Sequence, residues 1–204
     1  MEKRSIIRLR KSRNTVLKYF PKGMTIAEIG VYRGAYSKNL IKTEPSTLYL
    51  VDIWRHIDDG GIYSELDGCN DSDKRHLQNM RNVQAFFENN SEVQVIQTDS
   101  VEFSKTIPDG NLDCVYIVGD HTYEGCLRDL RAFAPKIKED GFMYGHDYTN
   151  NYAWIQVPEA IETFLLENPE WKLEYITCEE PAKSPSWFLT RKASIINEIL
   201  KQLI

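Results

Sequence analysis

Two pairs of neighbouring residues stand out for the chemistry they could do: Asp120-His121 and His146-Asp147. An imidazole titrates near neutrality, and a carboxylate beside it can fix its tautomer. Either pair could therefore take a proton from a nucleophile. Both directly follow apolar runs, Leu112 to Val118 and Gly141 to Gly145. A histidine at a strand end can also simply cap the next helix or bond backbone. Two such histidines on neighbouring strands, each beside an aspartate, favour at least one as a general base. His121 is preferred over His146, with Asp120 or Asp147 orienting the ring. His56 and His76 lack this setting, and loop and helix-surface positions are expected for them.

A second constellation is suited to binding. The run Ile26-Ala27-Glu28-Ile29-Gly30-Val31-Tyr32-Arg33-Gly34 carries an apolar strand through an acidic residue into a glycine turn. A second run, Tyr49-Leu50-Val51-Asp52, ends in an aspartate. Gly30 lets backbone approach a ligand closely, and Gly34 eases the start of the next helix. Asp52 sits where ribose hydroxyls need an acceptor. The turn reads E-x-G-x-x-x-G rather than G-x-G-x-x-G, so a pyrophosphate cradle is poorly supported. A cofactor with a ribose and no phosphates fits better, and S-adenosylmethionine is such a molecule.

These residues need elements to hold them. Strand-like runs recur at Thr25 to Ile29, Thr47 to Ile53, Val93 to Gln97, Leu112 to Val118, Gly141 to Gly145, Trp171 to Thr177 and Ser186 to Thr190. Helical stripes lie between them: Leu77, Met80, Val83 and Phe87; Leu127, Leu130, Ala134 and Ile137; Ile161, Phe164 and Leu165. The alternation predicts parallel βαβ units with right-handed crossovers. The expected class is α/β: a Rossmann-like, doubly wound, mostly parallel seven-stranded sheet with helices on both faces. It should occupy residues 24–191 as one domain.

Residues 1–23 are basic, with Lys3, Arg4, Arg8, Arg10, Lys11, Arg13 and Lys18 opposed only by Glu2. Ile6, Ile7, Leu9, Val16, Leu17 and Phe20 predict an amphipathic helix there that packs on the domain, in preference to a transit peptide. Residues 192–204 read as another amphipathic helix, through Ile195, Ile196, Ile199, Leu200 and Leu203. It would cover the sheet or pair with a second subunit in a homodimer. Two connections, Trp54 to Asp73 and His146 to Pro158, are long and rich in aromatic and turn residues. Both leave the carboxyl ends of strands, where long loops usually serve function. Tyr63, Tyr148, Tyr152 and Trp154 suit enclosure of a substrate.

A formal charge of -5 gives no reason to expect nucleic acid as a partner. No apolar run reaches membrane-spanning length, so no membrane association is expected. Cys69, Cys114, Cys126 and Cys178 are scattered without a C-x-x-C pair and read as thiols of a reducing, cytoplasmic compartment.

Three blocks in order carry a resemblance: Glu28 to Gly34, Thr98-Asp99-Ser100, and Leu112 to Tyr148. The last contains Tyr116-Ile117-Val118-Gly119-Asp120-His121-Thr122-Tyr123-Glu124-Gly125 and ends in Gly145-His146-Asp147-Tyr148. In these the chain resembles the class I S-adenosylmethionine-dependent methyltransferases, and within them the small-molecule and sugar O-methyltransferase branch. The resemblance implies that Glu28 and the turn of Gly30, Val31, Tyr32 and Gly34 hold the methionine portion of the cofactor. Asp52 would hold the ribose, Ile53 and Trp54 would face the adenine, and Asp99 with Ser100 would meet its edge. Asp120 would border the cofactor as well. Asp99 also suits a helix N-cap, a role compatible with adenine binding.

One departure from the family pattern matters. Metal-dependent relatives carry an aspartate where this chain has Val118. Valine cannot ligate, so only Asp120 and Asp147 remain to hold Mg²⁺, which commonly takes one or two carboxylates plus water. A metal is therefore allowed but not required. The implied activity is transfer of a methyl group to a hydroxyl of a small-molecule or sugar acceptor. The alternatives are N-methylation of a small amine and a catalytically inactive, cofactor-binding regulatory protein.

Overall fold

Short runs of apolar and β-branched residues build the sheet of this computed structural model, which describes residues 6–58, 60–177, 184–191, 194–201 and 203. The strands are β1 (Ile7–Leu9), β2 (Thr25–Ile29), β3 (Thr47–Asp52), β4 (Val93–Gln97), β5 (Leu112–Ile117), β6 (Ile137–Gly145), β7 (Lys172–Thr177) and β8 (Trp187–Thr190). They lie in the order β1-β7-β8-β6-β5-β2-β3-β4. β8 runs antiparallel to β6 and β7, and every other pairing is parallel. The helices are α1 (Arg13–Leu17), α2 (Ser37–Leu40), α3 (Ile62–Leu66), α4 (Asp73–Phe87), α5 (Ser100–Thr106), α6 (Tyr123–Phe133), α7 (Val157–Glu167) and α8 (Ile195–Lys201).

β5 shows why the sheet is covered on both sides. Val115 and Ile117 join a core layer with Leu127, Leu130, Ile161 and Phe164 of α6 and α7. Cys114 and Tyr116 point the other way, into a layer with Val16, Leu40, Val83, Ile196 and Leu200. Parallel strands buried on both faces read as nearly continuous apolar runs, which is how this sequence signalled them. Among the described residues no helix is long and apolar enough to cross a membrane.

The expected doubly wound sheet is thus present, with eight strands instead of seven. The extra strand comes from the segment expected to be one helix over 1–23. Residues Ile7–Leu9 instead pair in parallel with Tyr175, Ile176 and Thr177 of β7. Helix begins only after Ser12, whose hydroxyl accepts the Thr15 backbone N–H as an N-cap. β7 would otherwise be a bare edge, and pairing satisfies its backbone groups. Leu9 of this short strand falls in helical spacing with Val16, Leu17 and Phe20, which is why the sequence pattern resembles one stripe. Residues 1–5 of the expected N-terminal helix, Cys178, and residues 192–193, 202 and 204 of the expected C-terminal helix lie outside the described residues.

The face of α4 also differs from expectation. Leu77 is 39% exposed, whereas His76 is 4% exposed and Val83 and Phe87 are buried. The inward stripe keeps Met80, Val83 and Phe87 as expected and takes in His76 in place of Leu77. In the C-terminal segment, Ile196 and Leu200 of α8 are buried on the sheet.

The order of strands places the site. From β2 the chain crosses to β3 on one side and β5 comes to lie on the other. The crevice at this switch point, beyond the strands' carboxyl ends, is where open α/β sheets bind ligands.

Candidate active site

A cleft of about 330 Å³ opens at that switch point. Of the residues singled out in the sequence, Gly30, Tyr32, Asp52, Ile53, Asp99, Ser100, Asp120 and His121 line it. Glu28, Val31, Gly34, Trp54, His146 and Asp147 do not border the cleft. The wall also contains Tyr63, one of the aromatic residues expected to enclose a substrate, together with His76, Arg128 and Asp129, which sequence patterns did not single out as binding residues.

Asp52 organises the glycine turn. Its Oδ2 accepts the backbone N–H groups of Val31 and Tyr32 at 2.8 and 2.7 Å, and its Oδ1 accepts that of Trp54 at 2.7 Å. Tyr32 and Trp54 are held at φ 52° and 39°, in the left-handed region that non-glycine residues seldom adopt. Strain of this kind persists only where surrounding contacts enforce it, and it concentrates at functional sites. Removing the carboxylate should relax the turn. Asp52→Ala is expected to lower unfolding free energy by about 1–3 kcal/mol, the cost of leaving such donors unpaired. Urea denaturation checks this, and an unchanged midpoint would mean the turn holds without the carboxylate.

Two expected cofactor contacts take structural roles instead. Trp54 is 2% exposed, and its indole N–H donates to the Tyr32 carbonyl at 2.9 Å. It is a strut beneath the turn and offers no face to an adenine ring. Glu28 is 1% exposed and accepts the Ser37 hydroxyl. Burial pushes its carboxyl up to about 8, against the lowering effect of Ser37. A largely neutral acid inside the core is a poor partner for a ligand ammonium. Val31 is likewise a core residue, and Gly34 serves packing: a Cβ there would meet Val83 Cγ2 at 3.0 Å.

At the far end of the cleft, Asp99 caps α5. Its Oδ1 accepts the N–H groups of Val101 and Glu102 at 2.8 and 3.3 Å. The Arg128 guanidinium lies 3.4 Å from Asp99 Oδ2 and donates to the Ser100 hydroxyl at 3.3 Å. Ser100 in turn donates to Asp129 Oδ1 at 2.5 Å. Burial pushes the Asp129 carboxyl up to about 6, with Ser100 and Arg128 pulling the other way. Asp129 was hidden in sequence because it is a single polar residue on an otherwise apolar helix face.

Asp120 faces the cleft with its Oδ1 accepting the Thr122 N–H at 2.8 Å. Thr122 caps α6 through the Gly125 N–H. A Cβ on Gly125 would fall 2.1 Å from Asp120 Cγ, so only glycine leaves room for the carboxylate. Gly125→Ala should therefore displace Asp120 without removing it. Misplacement by about 1 Å can cost on the order of 10²-fold in rate. Turnover of the variant, read beside its circular dichroism, checks this; unaltered turnover would remove Asp120 from the chemistry.

His121 is not the free imidazole that a general base requires. Its Nε2 lies 2.9 Å from Asp147 Oδ2 and its Nδ1 3.3 Å from Asp67 Oδ2. Burial disfavours its charged form, but the two carboxylates outweigh burial and push its pKa up to about 9. Asp147 is correspondingly held well below the carboxylate range: burial opposes this, and His121 and His146 prevail. The two carboxylates thus favour the charged form of His121. His146, whose Nδ1 is 3.1 Å from Asp147 Oδ2, completes the chain but does not line the cleft. The expectation of a histidine base loses its support from geometry at His121, whose two ring nitrogens both face carboxylates. Adjacency in sequence suggested Asp120 and Asp147 as orienting groups, while Asp67, at the end of α3, could not be foreseen from 54 positions away.

Hydrogen bonds and ring contacts hold the described residues of both long connections. Asn70 pins the first one, accepting the Ile57 N–H at 2.9 Å and donating to the Ile57 and Ser64 carbonyls. In the second, Trp154 presents its ring edge-on to His121 at 5.9 Å, and the Gln156 N–H donates to the His121 carbonyl. Among the described residues no three His, Cys, Asp or Glu side chains gather in a way that would hold a metal ion. Asp120 and Asp147 do not form such a group, since Asp147 Oδ2 is engaged by two imidazoles.

The pattern of one family, described as a methyltransferase domain, matches residues 27–148. No curated protein sequence matches the chain. Among solved structures, it is similar to an S-adenosylmethionine-dependent methyltransferase from Aquifex aeolicus, with 12% identity, a TM-score of 0.59 and 90% of each chain covered. It is also similar to a ribosomal protein L11 methylase from Lactobacillus delbrueckii subsp. bulgaricus, at 17% identity and TM-score 0.55, covering 87% of this chain and 74% of that one. A spermidine synthase from Thermotoga maritima shares 14% identity at TM-score 0.56, with 89% of this chain covered. The present chain spans 57% of that synthase's length. At these identities the structural likeness speaks for the fold.

Proposed function

The chain belongs to the methyltransferase domain family, of the class I S-adenosylmethionine-dependent kind, and from that premise we propose that it methylates a hydroxyl group of a small molecule or sugar. The observation that carries this reading is the placing of Asp120 on the cleft wall, beside the strand ends that bear Asp52 and Gly30. The donor set fits S-adenosylmethionine. Asp52 offers a carboxylate to the ribose diol, Gly30 a backbone without a Cβ, and Asp99 with Ser100 polar atoms to the adenine edge. When bound, that cofactor supplies a methyl group activated by a sulfonium.

The chain's own residues do the rest. Asp120 is the cleft group placed to receive the hydroxyl's proton, while His121 is committed to its two carboxylates. Tyr63 and Ile57 of the first connection line the cleft, and in this reading they shield the reacting groups from water, which would strengthen polar interactions inside. Positioning contributes more than proton removal in such a transfer. With valine at 118, turnover is expected to persist in chelator.

Asp52, Asp99, Asp120 and Asp129 make the wall acidic, and this favours one second reading: a small amine as acceptor. A methyl-transfer screen over glycosides, sugar nucleotides, catechols and small amines tests both, run with Mg²⁺ and with chelator. Methylated hydroxyl products support the first reading. Methylated amines alone replace it with the second, and abolition by chelator overturns the metal-independent mechanism.

A further inference from the structure

His76 was expected on a helix surface, yet it is 4% exposed and lines the cleft. Both of its ring nitrogens are buried without a hydrogen-bond partner among the described residues. A buried donor or acceptor left unpaired is costly, and protein interiors rarely tolerate it without a ligand or water to satisfy it. An imidazole carries at least one N–H donor. We infer that His76 donates a hydrogen bond to the carboxylate of the cofactor's amino-acid end. The inference rests on S-adenosylmethionine as the ligand and adds a binding residue to that reading.

Asp52, Asp99 and Asp120 are acceptors, suited to hydroxyls and amines, and a ligand carboxylate would be repelled by them. Most donors on the wall are already engaged. Arg128 is held by Asp99, Ser100 and Asp129 at the far end, and His121 by Asp67 and Asp147. The Tyr32 hydroxyl donates to Asp71, and the N–H groups of Val31 and Tyr32 go to Asp52. Arg55 is exposed at the rim. The Tyr63 and Thr98 hydroxyls also line the cleft but are only partly buried, whereas His76 is 4% exposed with both ring nitrogens unpartnered among the described residues.

Its position agrees with that assignment. Two helical turns along α4, on the same face, Val83 packs against Gly34 of the glycine segment. α4 therefore packs against the segment that follows Gly30 and Tyr32, the part of the glycine turn that lines the cleft.

Calorimetry with two ligands isolates the contact. S-adenosylhomocysteine carries the amino-acid end, and methylthioadenosine lacks it. His76→Leu should weaken S-adenosylhomocysteine roughly 10- to 100-fold, as expected for a hydrogen bond to a charged group, and leave methylthioadenosine within about twofold. Its unfolding temperature without ligand should not fall, because leucine removes two unpartnered nitrogens from the interior. His76→Asn, which keeps a donor, should recover part of the loss. Equal weakening of both ligands, no weakening of either, or a large drop in unfolding temperature would overturn the inference. Methylthioadenosine bound normally by wild type and variant, with S-adenosylhomocysteine unaffected by His76→Leu, defeats the His76 contact alone. Wild-type protein binding neither ligand would defeat the cofactor reading itself.

Discussion

Gly30→Ala is expected to abolish ligand binding and to lower stability by about 4 kcal/mol or more, a loss at the extreme end for single substitutions. Gly30 sits at φ +94°, where an L side chain is strained. A Cβ there would lie 2.5 Å from Gly119 Cα and 2.7 Å from the Val118 carbonyl carbon. Those atoms are backbone on the neighbouring strand end and cannot rotate away. The Gly30 N–H donates to the Val51 carbonyl, and the Val118 N–H donates to that of Ile29, so the turn is tied to strands on both sides. Relief would require parting β2 from β5 at the site where the ligand sits. Chemical denaturation of the purified variant checks the prediction. A variant with near-normal stability and binding would show that the two loops can separate freely.

The second large effect concerns His121. His121→Ala should cost about 3–5 kcal/mol, since it strands buried carboxylates without their cation. Asp67, Asp147 and His121 side chains are only 3%, 15% and 12% exposed, so solvent does little to screen them. The pH dependence has a definite sign. The folded pKa of about 9 lies above the ordinary histidine value of about 6.5. Its stabilisation is therefore complete below about pH 6.5 and is lost as pH rises through about 9, a change on the order of 3 kcal/mol. Asp147 behaves oppositely: its pKa is depressed, so its contribution is present above the usual aspartate value and is lost in strong acid. Glu28 also titrates near 8, so the comparison must be between wild type and variant at the same pH. Urea unfolding at pH 6 and pH 9.5 should show the wild type losing its advantage over His121→Ala across that interval. Parallel losses in the two proteins would mean that His121 is not charged in the fold.

The sheet was legible because strands buried on both faces leave apolar runs, and the strands from β2 to β8 fall within the stretches so marked except β6, which starts at Ile137, a residue expected on the preceding helix, and so begins four positions early. β1 was not, because three residues carry too little periodicity to distinguish an edge strand from part of a helix. The site divides along the same line. Asp52, Asp99 and Asp120 stand at strand ends, and sheet topology places such residues in the cleft whatever the loops do. What failed depends on tertiary contacts. Glu28 and Trp54 have the right spacing, yet their side chains turn inward to Ser37 and to the Tyr32 carbonyl. His121 has the right neighbour in sequence, but its charge is set by Asp67 and Asp147, which only folding brings to it. His76 is the converse case: no motif marks it, and its placing depends on which face α4 turns inward.

The central claim is that the cleft at the switch point binds S-adenosylmethionine through Asp52. Titration calorimetry of wild-type protein and Asp52→Asn, with S-adenosylmethionine and with S-adenosylhomocysteine, tests it most directly. The substitution keeps the side chain's shape and removes its charge. Wild type should bind both ligands, and the variant should bind each about 10- to 100-fold more weakly, as for loss of hydrogen bonds to a charged group. No heat of binding with the wild type, or equal affinity in the variant, would contradict the account.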